Sequence, residues 1–197
     1  METKNINSPV PQKKTSFFKD TIIFAIVALA IILPIRFFIA QPFIVDGASM
    51  DPTFETNQYL IVDEVSYRFE PISRGDVVIF KYPNDTSKYF IKRVIGLPGE
   101  TVQIEGTKVT ISNSKENPQS FTLTENYISP ANFTSDHILK KLSENQYFVM
   151  GDNRGASFDS RAWGPVDKKY IIGRPIVRLF PVDKISFLPG ESQVINR

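Results

Sequence analysis

The run Gly47-Ala48-Ser49-Met50-Asp51-Pro52-Thr53 sets a serine among turn-forming residues, a few positions beyond a strongly apolar segment. A serine attacks an acyl group only when a base takes its proton, and the usual base is histidine. The chain has a single histidine, His137, stranded in a polar stretch, and no cysteine. A lysine is the remaining choice. In Tyr89-Phe90-Ile91-Lys92-Arg93-Val94-Ile95, the two-residue period of a strand sends Phe90, Lys92 and Val94 to one face and Ile91, Arg93 and Ile95 to the other. If the first face points inward, Lys92 loses hydration and its pKa falls. To serve near neutral pH it must fall by about 2 to 3 units, which a buried lysine achieves.

A third stretch, residues 151–164, is a turn-rich loop carrying Asp152, Arg154, Asp159 and Arg161. It reads as a polar shelf in which Asp159 and Arg161 brace each other and a serine hydroxyl orients the lysine. Each stretch also has a plain reading: a turn serine, two solvated cations on an edge strand, and a surface loop held by Asp–Arg pairs and a packed Trp163.

The elements that carry these residues are strand-like. Tyr59–Val62, Asp76–Phe80, Tyr89–Ile95, Thr101–Ile104, Lys108–Ile111, Gln146–Met150 and Tyr170–Phe180 are β-branched or aromatic runs bounded by Gly, Pro, Asn and Asp. They predict a mostly β, antiparallel domain over residues 41–197. Glu105-Gly106-Thr107 reads as a hairpin turn, and Pro175 as an edge or bulge. A polar excursion, rich in Ser, Asn, Thr and Pro from about Asn113 to Glu144, reads as an inserted cap within roughly 105–144, with a short helix-like patch at His137 to Leu142.

Ahead of this domain, residues 1–19 carry Lys4, Lys13, Lys14 and Lys19 against Glu2 alone, and Thr21 to Ile35 is uncharged. About 15 helical residues rise about 22 Å, short of a bilayer core of about 30 Å, so the expected span is 20–40, past Pro34 and with Arg36 snorkelling to the headgroups. The basic flank places residues 1–19 in the cytoplasm and the remainder outside. A cleaved signal peptide competes, but Phe38-Ile39-Ala40 is a poor small-x-small site. A buried helix of a soluble protein fits less well, because the segment is apolar all round.

Composition closes other routes. With 23 basic and 21 acidic residues the net charge is only +2, which gives no field for nucleic acid, and the lack of Cys with a lone His argues against a metal site. No cofactor is expected.

Taken together and in order, Ser49–Thr53, Arg74–Phe80, Ile91–Gly99 and residues 151–164 resemble the four motif boxes of bacterial type I signal peptidases, over everything from the apolar segment to about Leu179 except the cap. The resemblance implies a single-pass protein of the bacterial plasma membrane that cuts signal peptides from exported preproteins. It implies Ser49 as nucleophile, Lys92 as base, Ser157 bonded to the lysine, Asp159 and Arg161 as supports, and Arg93 and Asp152 as structural residues. In this family the oxyanion is met by the nucleophile's N–H and, in some members, by a hydroxyl two positions earlier. Here that position is Gly47, so a backbone group or water must serve. Phe43, Ile44, Val45 and Met50 are the candidates for apolar substrate pockets, and an extended substrate is expected to pair as an added strand. From Ala40 to Ser49 the chain reaches at most about 30 Å, which keeps the serine near the lipid. A membrane-anchored binding scaffold and a self-cleaving serine–lysine repressor are the weaker alternatives. Intact Ser49, Lys92 and Ser157 argue against the first, and the absence of a DNA-binding helix pair argues against the second.

Overall fold

The computed structural model describes residues 17–34, 40–113, 119–128, 136–191 and 195–196, and the chain divides into a unit ending at Phe37 and a unit beginning at Phe38. Among the described residues the first unit holds one helix, α1 (Phe17–Pro34), about 27 Å long at the standard rise. Its Ile22, Phe24, Ile26, Leu29 and Ile32 are exposed. Lys19 and Asp20 take up its first turn, and among the described residues no helix is long and apolar enough to cross a membrane. The expected span of 20–40 is therefore not found as one helix. Residues 35–39 lie outside the described residues, and Ala40 is the first residue of a strand, paired with Asp63.

The second unit is built from two antiparallel sheets. The larger contains β1 (Ala40–Ile44), β2 (Tyr59–Asp63), β3 (Val77–Tyr82), β4 (Asp85–Gly96), β9 (Gln146–Met150), β10 (Val166–Asp167) and β11 (Ile171–Phe180), in the order β1-β2-β11-β3-β4-β9-β10, with β12 (Ser186–Phe187) paired to β11. β1 contains Pro42 and lies at an edge, where a missing N–H leaves no ladder bond unmade. Pro175 sits where the register of β11 against β2 shifts, the bulge that its sequence announced. Gly173 is required by close approach, since a Cβ there would stand 1.9 Å from the Asp63 carbonyl oxygen.

The second sheet contains β5 (Thr101–Gly106), β6 (Lys108–Ser112), β7 (Phe121–Thr124), β8 (Asp136–Lys141) and β13 (Ile195–Asn196), in the order β13-β7-β6-β5-β8. The β5–β6 hairpin turns at Gly106, whose φ of 60° suits the expected turn. The expected cap is thus a sheet that already begins at Thr101. The helix-like patch at 137–142 is strand up to Lys141: Thr101 to Gly106 pairs residue by residue with Lys141 to Asp136. Ile138 and Leu142 fit a helical spacing, but Ile138 packs inward as one side of an alternating strand, and so short an apolar run does not fix its own period.

Three apolar clusters hold the unit together, and β4 touches all of them. Ile95 joins Val102, Ile111 and Phe148 between the sheets; Val94 joins Val78, Phe80 and Val149; Ile91 packs on Val45, Met50, Phe54, Leu60 and Val77. The strand that bears both candidate cations is a central one, between β3 and β9.

Candidate active site

Ser49 lies in the turn after β1. Gly47 enters that turn at φ 97°, a left-handed conformation that a side chain resists, and its N–H donates to Thr56 Oγ1 at 3.2 Å. The turn closes through Asp51 N–H to Ala48 O at 3.2 Å and Phe54 N–H to Met50 O at 3.0 Å. Ser49 is half-buried, and its own N–H has no acceptor among the described residues.

Lys92 Nζ stands 2.7 Å from Ser49 Oγ and 2.9 Å from the Ile91 carbonyl oxygen. Its residue is only 4% exposed, which rules out a solvated edge cation. The flanking Phe90 ring lies 5.4 Å from Nζ. Loss of hydration lowers the lysine pKa to about 8, although the carboxylates of Asp159 and Asp152 pull it upward. The ammonium donates to Ser49 Oγ; a neutral amine at the same place could accept the serine proton.

Arg93, one residue on, has the opposite surroundings. It is fully buried, binds Asp152 through Nε–Oδ1 at 2.9 Å and Nη2–Oδ2 at 2.6 Å, and donates from Nη1 to the Gly75 and Gly190 carbonyls. Such a bidentate pair satisfies a buried guanidinium and serves structure.

The loop after β9 presses on Ser49. Asn153 N–H donates to Ser49 O at 3.1 Å, and Asn153 Nδ2 to Ala48 O at 3.1 Å. Asp159 braces Arg161 through Oδ1–Nε at 2.8 Å and Oδ2–Nη2 at 2.9 Å, and also accepts the Gly151 N–H at 3.0 Å. It caps the short helix α2 (Ser160–Trp163) by accepting from the Arg161 N–H. Ser157 Oγ is buried with no partner among the described residues, and the expected bond to Lys92 is not formed there. The hydroxyl instead lies against Gly151, where a Cβ would come within 2.3 Å of both Ser157 Oγ and Ser49 O.

Ser49 and Lys92 open into a cleft of about 280 Å³, walled by Phe43, Ile44, Val45, Ile79, Tyr89 and Phe158 among others. Phe43 and Tyr89 meet edge to face at 5.5 Å. Met50 does not line it. Its side chain points into the core with Phe54 and Leu60 and is 0% exposed, because the turn that presents Ser49 outward sends the next residue inward. Sequence reasoning missed Asn153, Tyr89 and Phe158. Asn153 lies within the loop that was singled out, but its tie to Ser49 is a long-range backbone contact that no local pattern signals.

The model of the family described as "Signal peptidase, peptidase S26" matches residues 18–180. The chain belongs to that family. A signal peptidase I of Leptolyngbya laminosa is 41% identical over 82% of this chain and 79% of its own length. A probable signal peptidase I of Synechocystis is 37% identical over 96% of this chain and 98% of its own. Signal peptidase I V of Bacillus subtilis is 42% identical over 66% of this chain and 79% of its own. Among solved structures, a signal peptidase I of Enterococcus faecalis is 28% identical, with a TM-score of 0.44 over 53% of this chain and 97% of that one. The resemblance drawn from the motif boxes is borne out: the chain is a peptide-bond hydrolase of the signal peptidase family.

Proposed function

We propose that the protein is a membrane-anchored endopeptidase that removes signal peptides from exported preproteins with a Ser49–Lys92 dyad. The observation that carries this reading is the 2.7 Å approach of Nζ to Oγ at a lysine whose pKa burial has lowered to about 8. Neutral Lys92 takes the Ser49 proton as Oγ bonds to the carbonyl carbon after a small residue. The free Ser49 N–H meets the developing oxyanion, with water supplying the contact that Gly47 lacks. Lysine then gives its proton to the leaving amine as the C–N bond breaks, and water, deprotonated by Lys92, releases the acyl group and restores the serine.

The substrate lies extended along the cleft beside β1, an edge strand with main-chain groups to offer, and the apolar walls at Phe43 and Val45 select small residues. The exposed apolar faces of α1 suit lipid, and residues 1–19 with their lysines remain in the cytoplasm of a bacterial cell while 41–197 face outward. Carbonate extraction of membranes tests the anchor: the full chain is expected in the pellet, and recovery in the supernatant would remove that part of the reading. The dyad is tested by incubating the detergent-solubilised chain with a preprotein, comparing wild type with Ser49→Ala and Lys92→Ala. Normal cleavage by Lys92→Ala would show that another group is the base.

A further inference from the structure

Three arginines frame the site, and each meets a residue of the second sheet or its connections. Arg161 Nη1 binds Asp136 Oδ2, at the start of β8, at 2.8 Å. Arg154 forms a two-point pair with Glu125, which follows β7; Nη1–Oε2 is 2.9 Å and Nη2 bonds Oε1. The Arg93 guanidinium lies 4.0 Å above the Tyr127 ring, and Tyr127 donates its hydroxyl to Glu125 Oε1 at 2.6 Å.

Two of these links converge on one residue. Gly151 gives its N–H to Asp159, which Arg161 holds, and its C=O accepts from Arg154 Nε at 3.0 Å. Both sides of Gly151 are thus fastened to the second sheet through one arginine each. Gly151 is also where the loop packs on the nucleophile, so closely that a Cβ would stand 2.3 Å from Ser49 O. Neither Asp136 nor Glu125 lines the cleft. Arg154 and Glu125 are almost wholly buried, so their pairing fixes geometry with little freedom to wander, whereas Asp136 is about a third exposed and reaches Arg161 from the rim.

We infer that Asp136 and Glu125 are positioning residues for the nucleophile. Resting on the dyad reading, the inference gives the second sheet a part in the reaction: through Arg161–Asp159 and through Arg154 it fixes Gly151, and Gly151 fixes the height of Ser49 against Lys92. The effect falls mainly on the chemical step, because neither Asp136 nor Glu125 lines the cleft.

The test is preprotein cleavage by the detergent-solubilised full chain carrying Asp136→Asn, Asp136→Glu, Glu125→Gln, Arg161→Lys, or Asp136→Asn with Arg161→Lys. Asp136→Asn is expected to lower kcat about tenfold with KM changed less than about twofold, since small misplacements of reacting groups are costly in rate. Asp136→Glu is expected to recover most of the loss, and the double variant to be no slower than Arg161→Lys alone, because both act along one path. Glu125→Gln tests the second path with the same split, and unchanged melting temperatures establish that the variants are folded. Wild-type kcat in folded Asp136→Asn and Glu125→Gln would overturn the inference, as would losses in kcat that merely follow losses of folded protein, or strict additivity in the double variant. Ser49→Ala in the same assay separates the two readings. If it is inert while Asp136→Asn is unimpaired, only the positioning role fails; if it cleaves normally, the dyad and the positioning role fall together.

Discussion

Lys92 and Arg93 are neighbours on one central strand, both are buried, and they are treated in opposite ways. Arg93 has a bidentate carboxylate and two carbonyls within bonding distance; Lys92 has a serine hydroxyl and its neighbour's carbonyl, with its nearest carboxylates already engaged by arginines. A buried charge that is matched stays charged and holds the structure, while one left unmatched gives up its proton more readily. The alternation of a strand therefore lets one of two adjacent cations become a structural pin and gives the other the surroundings that the proposed base requires.

The contrast breaks most severely at the proposed dyad. Ser49→Ala and Lys92→Ala are each expected to reduce preprotein cleavage by about a thousandfold or more, with the double variant little worse, because the two act as a unit. On the Arg93 side the expected loss is in folding. Asp152→Asn leaves a buried guanidinium without its counter-charge and should lower stability by about 3 to 5 kcal/mol, as measured by urea unfolding of the solubilised chain.

Lys92→Met should do the reverse and stabilise while abolishing activity. The folded lysine has a pKa of about 8 against an ordinary 10.5, so the unfolded chain binds more protons between those values and wild-type stability rises with pH across that window. Below pH 8 the folded state carries the full penalty, on the order of 3 kcal/mol, which the methionine variant lacks; unfolding at pH 7 and pH 10 should show the difference shrinking as pH rises. The same titration shapes the rate. The log of kcat/KM should climb with unit slope to a plateau above about pH 8, and a profile flat from pH 6 to 9 would deny Lys92 the role of base. The smallest effect is expected at an exposed pair, Lys184 with Glu55 at 2.7 Å: Glu55→Gln should change stability by less than about 0.5 kcal/mol, against the several expected at the buried Asp152.

Much of the site was legible because its chemistry is local. The alternation around Lys92, the turn residues around Ser49 and the Asp159–Arg161 spacing are each contained in a few residues. Seven strands were also readable from their β-branched runs. What was not readable depended on tertiary pairing. β8 takes its form from β5 across a ladder that its own residues do not encode, and β7 is only four residues long. Met50 and Ser157 show the same limit at the level of one side chain. Met50 was assigned to the cleft from its place beside Ser49, but the turn inverts its direction; Ser157 was assigned to Lys92, yet its hydroxyl faces Gly151.

The carbonyl of Gly190 carries a consequence for biosynthesis. It receives Arg93 Nη1 at 2.7 Å, and a Cβ on its glycine would come within 2.9 Å of Phe54 and Val77. A ribosome delivers Ser49 and Lys92 long before residue 190, so a nascent chain owns both reactive groups while the cage around the neighbouring guanidinium is still open. The cage around Arg93 closes only once residue 190 has been made, and a chain released before Gly190 lacks one of the carbonyls that hold the guanidinium.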